Sequence, residues 1–187
     1  MKTAILSIFL FTAGCGAAAD PIKPVAGEWS ATVNGLRARI LIREEPVSSE
    51  AVIYLELQNV SDVLSPLEIY FHTTPAPLRC ELLDAAGKPV PQTPAPSDIL
   101  APLPYWLALP SDSTLRLRVS VNGYGIPDQG GRPLQLESGF WMIPNSPASD
   151  LFLSATFNAA NAKERPRDHA WEGTLHLPKL KVATKAK

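Results

Sequence analysis

A single antiparallel β-sandwich is the fold this sequence predicts, on three observations. The first is periodicity: from Trp29 onward apolar residues recur at every second position, which gathers them on one face of a strand. The second is punctuation, because Asn-Gly, Asp, Gly and Pro turn chemistry interrupts that alternation at intervals of about 8 to 16 residues. The third is proline content: nineteen in 187 residues, roughly twice the usual ~5% frequency. Each proline inside a helix would remove a hydrogen bond and clash with the preceding turn, so long helices are disfavoured. The length suits one domain, and no internal repeat or change of composition marks a boundary within it.

The elements follow in order. Trp29, Ala31 and Val33 alternate up to Asn34-Gly35, a pair that tolerates positive φ and so signals a hairpin. Leu36, Ala38, Ile40 and Ile42 resume the alternation, with Arg37, Arg39 and Arg43 on the opposite face. Ile53, Leu55 and Leu57 form the next strand, which ends at Asn59-Val60-Ser61-Asp62; Leu67, Ile69 and Phe71 continue after Pro66. Leu78 to Leu83 runs into Asp84-Ala85-Ala86-Gly87-Lys88, which reverses the chain.

Residues 75–104 hold eight prolines, and Pro89 to Pro104 reads as a long, stiff surface loop of polyproline character. Leu107 and Leu109 restart a strand, and after the turn at Pro110 to Ser113, Leu115, Leu117, Val119 and Val121 alternate with Arg116, Arg118 and Ser120. A Gly- and Pro-rich stretch from Asn122 to Pro133 reads as loop, followed by strands at Phe140–Ile143 and Leu151–Phe157. Ala159 to Lys163 reads as a single helical turn. Trp171 to Val182 closes the domain, with Pro178 marking an edge or a bulge. The expected core comprises Leu36, Ile40, Leu55, Leu57, Leu117, Val119 and Phe157, with Trp29 and Trp171 as core tryptophans.

The N-terminus reads as an export signal over 1–19: Lys2 gives a positive start and Ala4 to Ala13 an uncharged, mostly apolar run too short to span a bilayer. Leu10-Phe11-Thr12-Ala13-Gly14-Cys15-Gly16 resembles a bacterial lipobox, in which Cys15 becomes the acylated mature N-terminus; Thr12 stands where lipoboxes usually carry Leu. Alternatively, Ala17-Ala18-Ala19 supplies a small-x-small site for cleavage before Asp20. The expected organisation is then a linker at 20–28, the sandwich at 29–182 and a basic tail at 183–187. In either case Cys80 has no intramolecular partner, and its place in the alternation Leu78, Cys80, Leu82 predicts a buried small hydrophobe.

The segments Tyr54-Leu55-Glu56-Leu57-Gln58-Asn59-Val60-Ser61-Asp62, Cys80-Glu81-Leu82-Leu83-Asp84 with Gly87-Lys88-Pro89-Val90, and Leu109-Pro110 to Val119 resemble immunoglobulin-like modules of bacterial envelopes. They are similar to the BsuPI-type proteinase inhibitor domain and to exported proteins of planctomycete-like bacteria. The similarity covers residues 51–121. It implies an immunoglobulin-like sandwich and brings no reactive-site residue with it.

For function, the net charge of -1 and pI near 6.3 supply no overall electrostatic attraction for nucleic acid. The familiar hydrolase, phosphate-loop, paired-cysteine and dinucleotide motifs are missing from the sequence, so no cofactor is expected. The densest titratable cluster is Asp168-His169 with Glu172; a divergent metal-dependent enzyme would need His169 and His176 to converge with a carboxylate or with His72. No metal ligand is assigned. Asn59-Val60-Ser61 matches a glycosylation sequon, read here as a coincidence at a strand end. The favoured expectation is a non-catalytic binding module for protein or polysaccharide of the cell envelope, membrane-attached through a lipid on Cys15 or else soluble after export. Its candidate contact residues are Tyr105 and Trp106, beside the proline-rich loop, and Trp141. A proteinase inhibitor is a special case of that class. Residues 163–187 are locally basic, seven basic against three acidic side chains, which suits a solvated end.

Overall fold

The computed structural model describes residues 25–44, 51–71, 77–94, 104–120, 131–145, 147–160, 162 and 166–183. Among them the chain forms eleven strands and no helix, and every pairing of strands is antiparallel. The expected export signal with Cys15, the centre of the proline-rich loop and the end of the basic tail lie outside the described residues; of the helical turn expected at 159–163, Ala159 instead ends a strand, residues 160 and 162 are irregular, and 161 and 163 lie outside the described residues.

β2 (Leu36–Glu44) and β3 (Ala51–Asn59) pair along their whole length, Leu36 opposite Asn59 and Glu44 opposite Ala51. β1 (Val25–Ala26) lines the free side of β2, and β7 (Thr114–Arg118) that of β3, giving the order β1-β2-β3-β7. The turn that enters β2 has Asn34 at φ 48° and Gly35 at φ 78°. Val33 and Leu36 exchange both N–H···O bonds around it, at 2.9 and 3.0 Å, as a two-residue hairpin requires. Glycine is needed at position 35 for a second reason: a Cβ there would stand 2.6 Å from the Ser61 Cβ.

β5 (Leu78–Asp84), β10 (Leu151–Ala159) and β11 (Gly173–Ala183) form a second sheet with β10 in the middle. Pro178 lies on the edge strand β11, where the register slips: Leu153 opposes Leu180 but Ala155 opposes Leu177, so Pro178 and Lys179 bulge out against Ser154. After β5 the Asp84 carboxylate accepts hydrogen bonds from the Ala86 and Lys88 N–H groups, both at 2.9 Å, closing the turn around Gly87 at φ 80°. Two ribbons complete the fold, β4 (Leu67–Phe71) with β6 (Tyr105–Leu109) and β8 (Gly131–Leu136) with β9 (Gly139–Pro144).

One apolar cluster collects the inward faces of both larger sheets: Ile40 and Leu55 from the first, Leu82, Leu153 and Phe157 from the second. The result is an all-β fold of antiparallel sheets consistent with a β-sandwich. Leu36, Ile40, Leu55, Leu57 and Phe157 are fully buried as expected, whereas Leu117 and Val119 are only partly buried because β7 is a sheet edge. Cys80 is buried as expected, and desolvation, partly offset by a hydrogen bond with Ser138, pushes its thiol up to about 12.

Four expectations are corrected. Trp29 is half-buried rather than core: its ring lies under the guanidinium groups of Arg37 and Arg39, 4.8 and 4.3 Å from its centroid. The segment before Asn34 follows β2 through Gly27 N–H to Ile40 O and Ser30 N–H to Ala38 O without forming a regular strand. Pairing also begins earlier, at Val25, inside the expected linker. β8 occupies part of a stretch read as loop: Gly131 and Pro133 look like breakers, yet a two-stranded ribbon leaves β8 a free edge at Pro133.

Candidate functional site

The site grows from the alternation in β4. Ile69 points into the core, completely buried, so Glu68 and Tyr70 project from the other face of the ribbon. The register sets Tyr70 opposite Trp106 and Phe71 opposite Tyr105. Two aromatic contacts follow: Tyr70 and Trp106 are tilted at 39° with centroids 5.0 Å apart, and Phe71 and Tyr105 stack at 5.1 Å and 3°. Phe71 reaches on to Phe157 and Phe157 to Trp171, each at 5.8 Å. A chain of rings therefore runs from the exposed Tyr105 to the centre of the core.

Arg167 joins this face from the segment before β11. Its guanidinium sits 4.8 Å from the Trp106 centroid and its Nη1 is 2.5 Å from the Glu68 carboxylate. The backbone explains why it is there: Glu68 N–H donates to His169 O at 3.0 Å, and Trp171 N–H donates to Glu68 O at 2.7 Å, so the segment is pinned along β4. Trp106 thus meets both a phenol and a guanidinium, with its own ring half-buried.

Tyr105 is 42% exposed. Partial burial, aided by the charge of Glu137, pushes its phenol above the ordinary value. Glu137 also lines an open groove of about 500 Å³ with Gln92, Thr93 and Phe140. Here the described start of the proline-rich loop is held in place. Val90 N–H donates to Leu82 O, Thr93 N–H donates to Phe140 O, and Val90 O accepts the Trp141 indole N–H at 3.1 Å. Residues 95–103 of that loop lie outside the described residues.

Trp141 is corrected as a candidate contact residue: only 2% exposed, its ring is core packing and its single donor is spent on Val90. Phe140 beside it is also buried, because this part of β9 has cover on both faces. A second groove, of about 380 Å³, is lined by Val63, Pro66, His169, Trp171 and Glu172. On the loop beside it Val63 is 57% and Leu64 97% exposed.

The histidines do not form a centre among the described residues, where no group of three or more His, Cys, Asp or Glu side chains is placed to hold a metal. His169 serves β4 through its backbone, His176 lies on β11 with its Nδ1 3.5 Å from Thr156 Oγ1, and His72 is outside the described residues. Tyr70 was legible from alternation, since it is out of phase with Leu67, Ile69 and Phe71. Arg167 carries no sequence signal, because only the fold brings it across 61 residues to Trp106. Comparison of the chain with protein-family models, with curated proteins and with solved structures gives no match.

Proposed function

We propose that this chain is an exported, non-catalytic module of a bacterial cell envelope, immunoglobulin-like in topology, that docks a protein partner through Tyr105 and Trp106. The observation that carries the reading is the cluster formed by the half-buried Trp106 and Tyr70 of the β4–β6 ribbon with the exposed Arg167 against the Trp106 ring. Trp, Tyr and Arg are the side chains that dominate binding energy when an interface closes over them. Holding Trp106 against Tyr70 and Arg167 lowers the entropy lost on docking.

A protein partner is favoured over a sugar ring because Arg167 already lies against the Trp106 ring. The exposed Val63 and Leu64, beside the groove that the 166–172 segment helps to form, add apolar surface of the kind proteins cover. Proteinase inhibition through the Pro89–Pro104 loop is a special case of the same reading.

In a pull-down from envelope extract, wild type is expected to retain a partner that W106A loses, with both proteins showing the same unfolding midpoint. Identical partner profiles would overturn the docking role of Trp106. The lipid reading has its own test: the intact mass of membrane-fraction protein is expected to correspond to an acylated chain beginning at Cys15. A free chain beginning at Asp20 would replace the anchor with ordinary secretion.

A further inference from the structure

The net charge of the chain conceals a segregation that only the sheet order reveals. On the outer face of β1-β2-β3-β7, β2 places Arg37, Arg39 and Arg43, and β7 places Arg116 and Arg118; between them β3 contributes Glu56. Among the described residues of β2, β3 and β7, one carboxylate thus stands amid five guanidinium groups on this face. Glu56 accepts from Arg39 Nε at 2.5 Å and from Arg116 Nη2 at 2.8 Å, so it is shared and neutralises neither partner fully. Arg37 Nε donates to the neutral Gln58 at 2.8 Å. The Arg43 Nε is buried with no hydrogen-bond partner.

These arginines are held rather than loose. Arg37 and Arg39 lie on the Trp29 ring and are tethered through Nε, the inner nitrogen, which leaves the terminal Nη pair of each to meet a ligand. Such pre-ordered planar forks suit carboxylates, which accept two parallel N–H bonds. Residues two apart on β2 stand about 6.8 Å from one another, and neighbouring strands about 4.8 Å. A flexible chain of repeated anions can then engage several arginines at once.

We infer that this arginine face binds an acidic polysaccharide, a carboxylated sugar polymer held by the outer ends of its arginine side chains. A membrane surface is the poorer fit, because Leu41 and Val52, the aliphatic residues of β2 and β3 on this face, are each 1% exposed and offer nothing to insert among headgroups. The inference is independent of docking at Trp106, which lies on another ribbon.

The test is calorimetric titration of the purified full chain with oligogalacturonate, with parallel titrations of anionic phosphatidylglycerol vesicles and of duplex DNA. Oligogalacturonate is expected to bind at low salt and weaken as salt rises. R37Q/R43Q is expected to weaken it about tenfold, with R37K/R43K recovering part of the loss. K179Q/K181Q, which removes the same charge from β11, is expected to leave it unchanged. Bound oligogalacturonate is also expected to protect Arg37 and Arg43 of the wild-type chain from phenylglyoxal, a readout that needs no variant to fold. Absence of binding or of protection, an equal loss in K179Q/K181Q, or tighter binding of vesicles or DNA through the same arginines would each overturn the inference.

Discussion

Replacing Trp171 by alanine is expected to destabilise the fold by about 4 kcal/mol, because a buried ring and a partly buried hydrogen bond are lost together. Trp171 is 2% exposed and stacks on Phe157 at 5.8 Å. Its indole N–H donates to Val33 O at 2.9 Å, which ties the start of the closing strand to the hairpin that enters β2. Alanine would leave a cavity where the first and second sheets meet, and the Val33 carbonyl would keep only its bond from the Leu36 N–H. W171F, which keeps most of the apolar volume and loses only the donor, is expected to cost about 1–2 kcal/mol. Urea denaturation of the three proteins measures the series. A loss below about 1 kcal/mol for W171A would mean that the ring does not join the two sheets, given total stabilities of about 5–15 kcal/mol.

The second large effect is expected at Glu56. Burial pushes its carboxyl up, but the hydrogen bonds and charges of Arg116 and Arg39 outweigh that and hold it below the ordinary 4.5. A carboxyl whose value falls on folding adds stability above its unfolded value, and this contribution disappears as pH drops through the lowered folded one. E56Q keeps the shape and removes the charge, leaving Arg39 and Arg116 facing each other. Because both arginines are partly exposed, the loss at neutral pH is expected to be about 2 kcal/mol, less than for a fully buried pair. The gap between wild type and E56Q should narrow as pH falls below 4.5. A gap that stayed constant down to the acid limit would show that Glu56 acts through packing and not through its charge.

What the sequence disclosed divides along physical lines. Strands with an uninterrupted period of two, such as Leu36 to Ile42 and Ile53 to Leu57, were legible with their buried faces, since alternation is a local property of the chain. Pro178 was legible as an edge or bulge because a missing donor is intrinsic to proline. β8 was not, since Gly131 and Pro133 break a strand only when both edges are paired, and pairing is a tertiary fact. Trp29 and Trp171 look equivalent in sequence; what separates them is that Trp171 lands against Phe157 and Val33 whereas Trp29 lands under two arginines.

The functional surfaces follow the same rule. Tyr105 and Trp106 could be singled out as aromatic residues beside a loop, but the stack they enter depends on β4 and on Arg167. Trp141 bears the same local marks and is buried. The arginines of β2 and β7 alternate visibly in the sequence. That they share a face with Glu56, the one carboxylate among the described residues of β2, β3 and β7 there, depends on β3 lying between two strands whose bonded partners are 17 and 60 residues from Glu56.

The most direct measurement of the docking role is photo-crosslinking in living cells from a photoreactive amino acid placed at Tyr105, with the same amino acid at Lys179 on the second sheet for comparison. Position 105 is expected to capture one envelope protein that position 179 does not, and the additional change W106A is expected to abolish that capture. Capture of cytoplasmic proteins alone, or the same products from both positions, would contradict an exported module that binds through the β4–β6 ribbon at Tyr105 and Trp106.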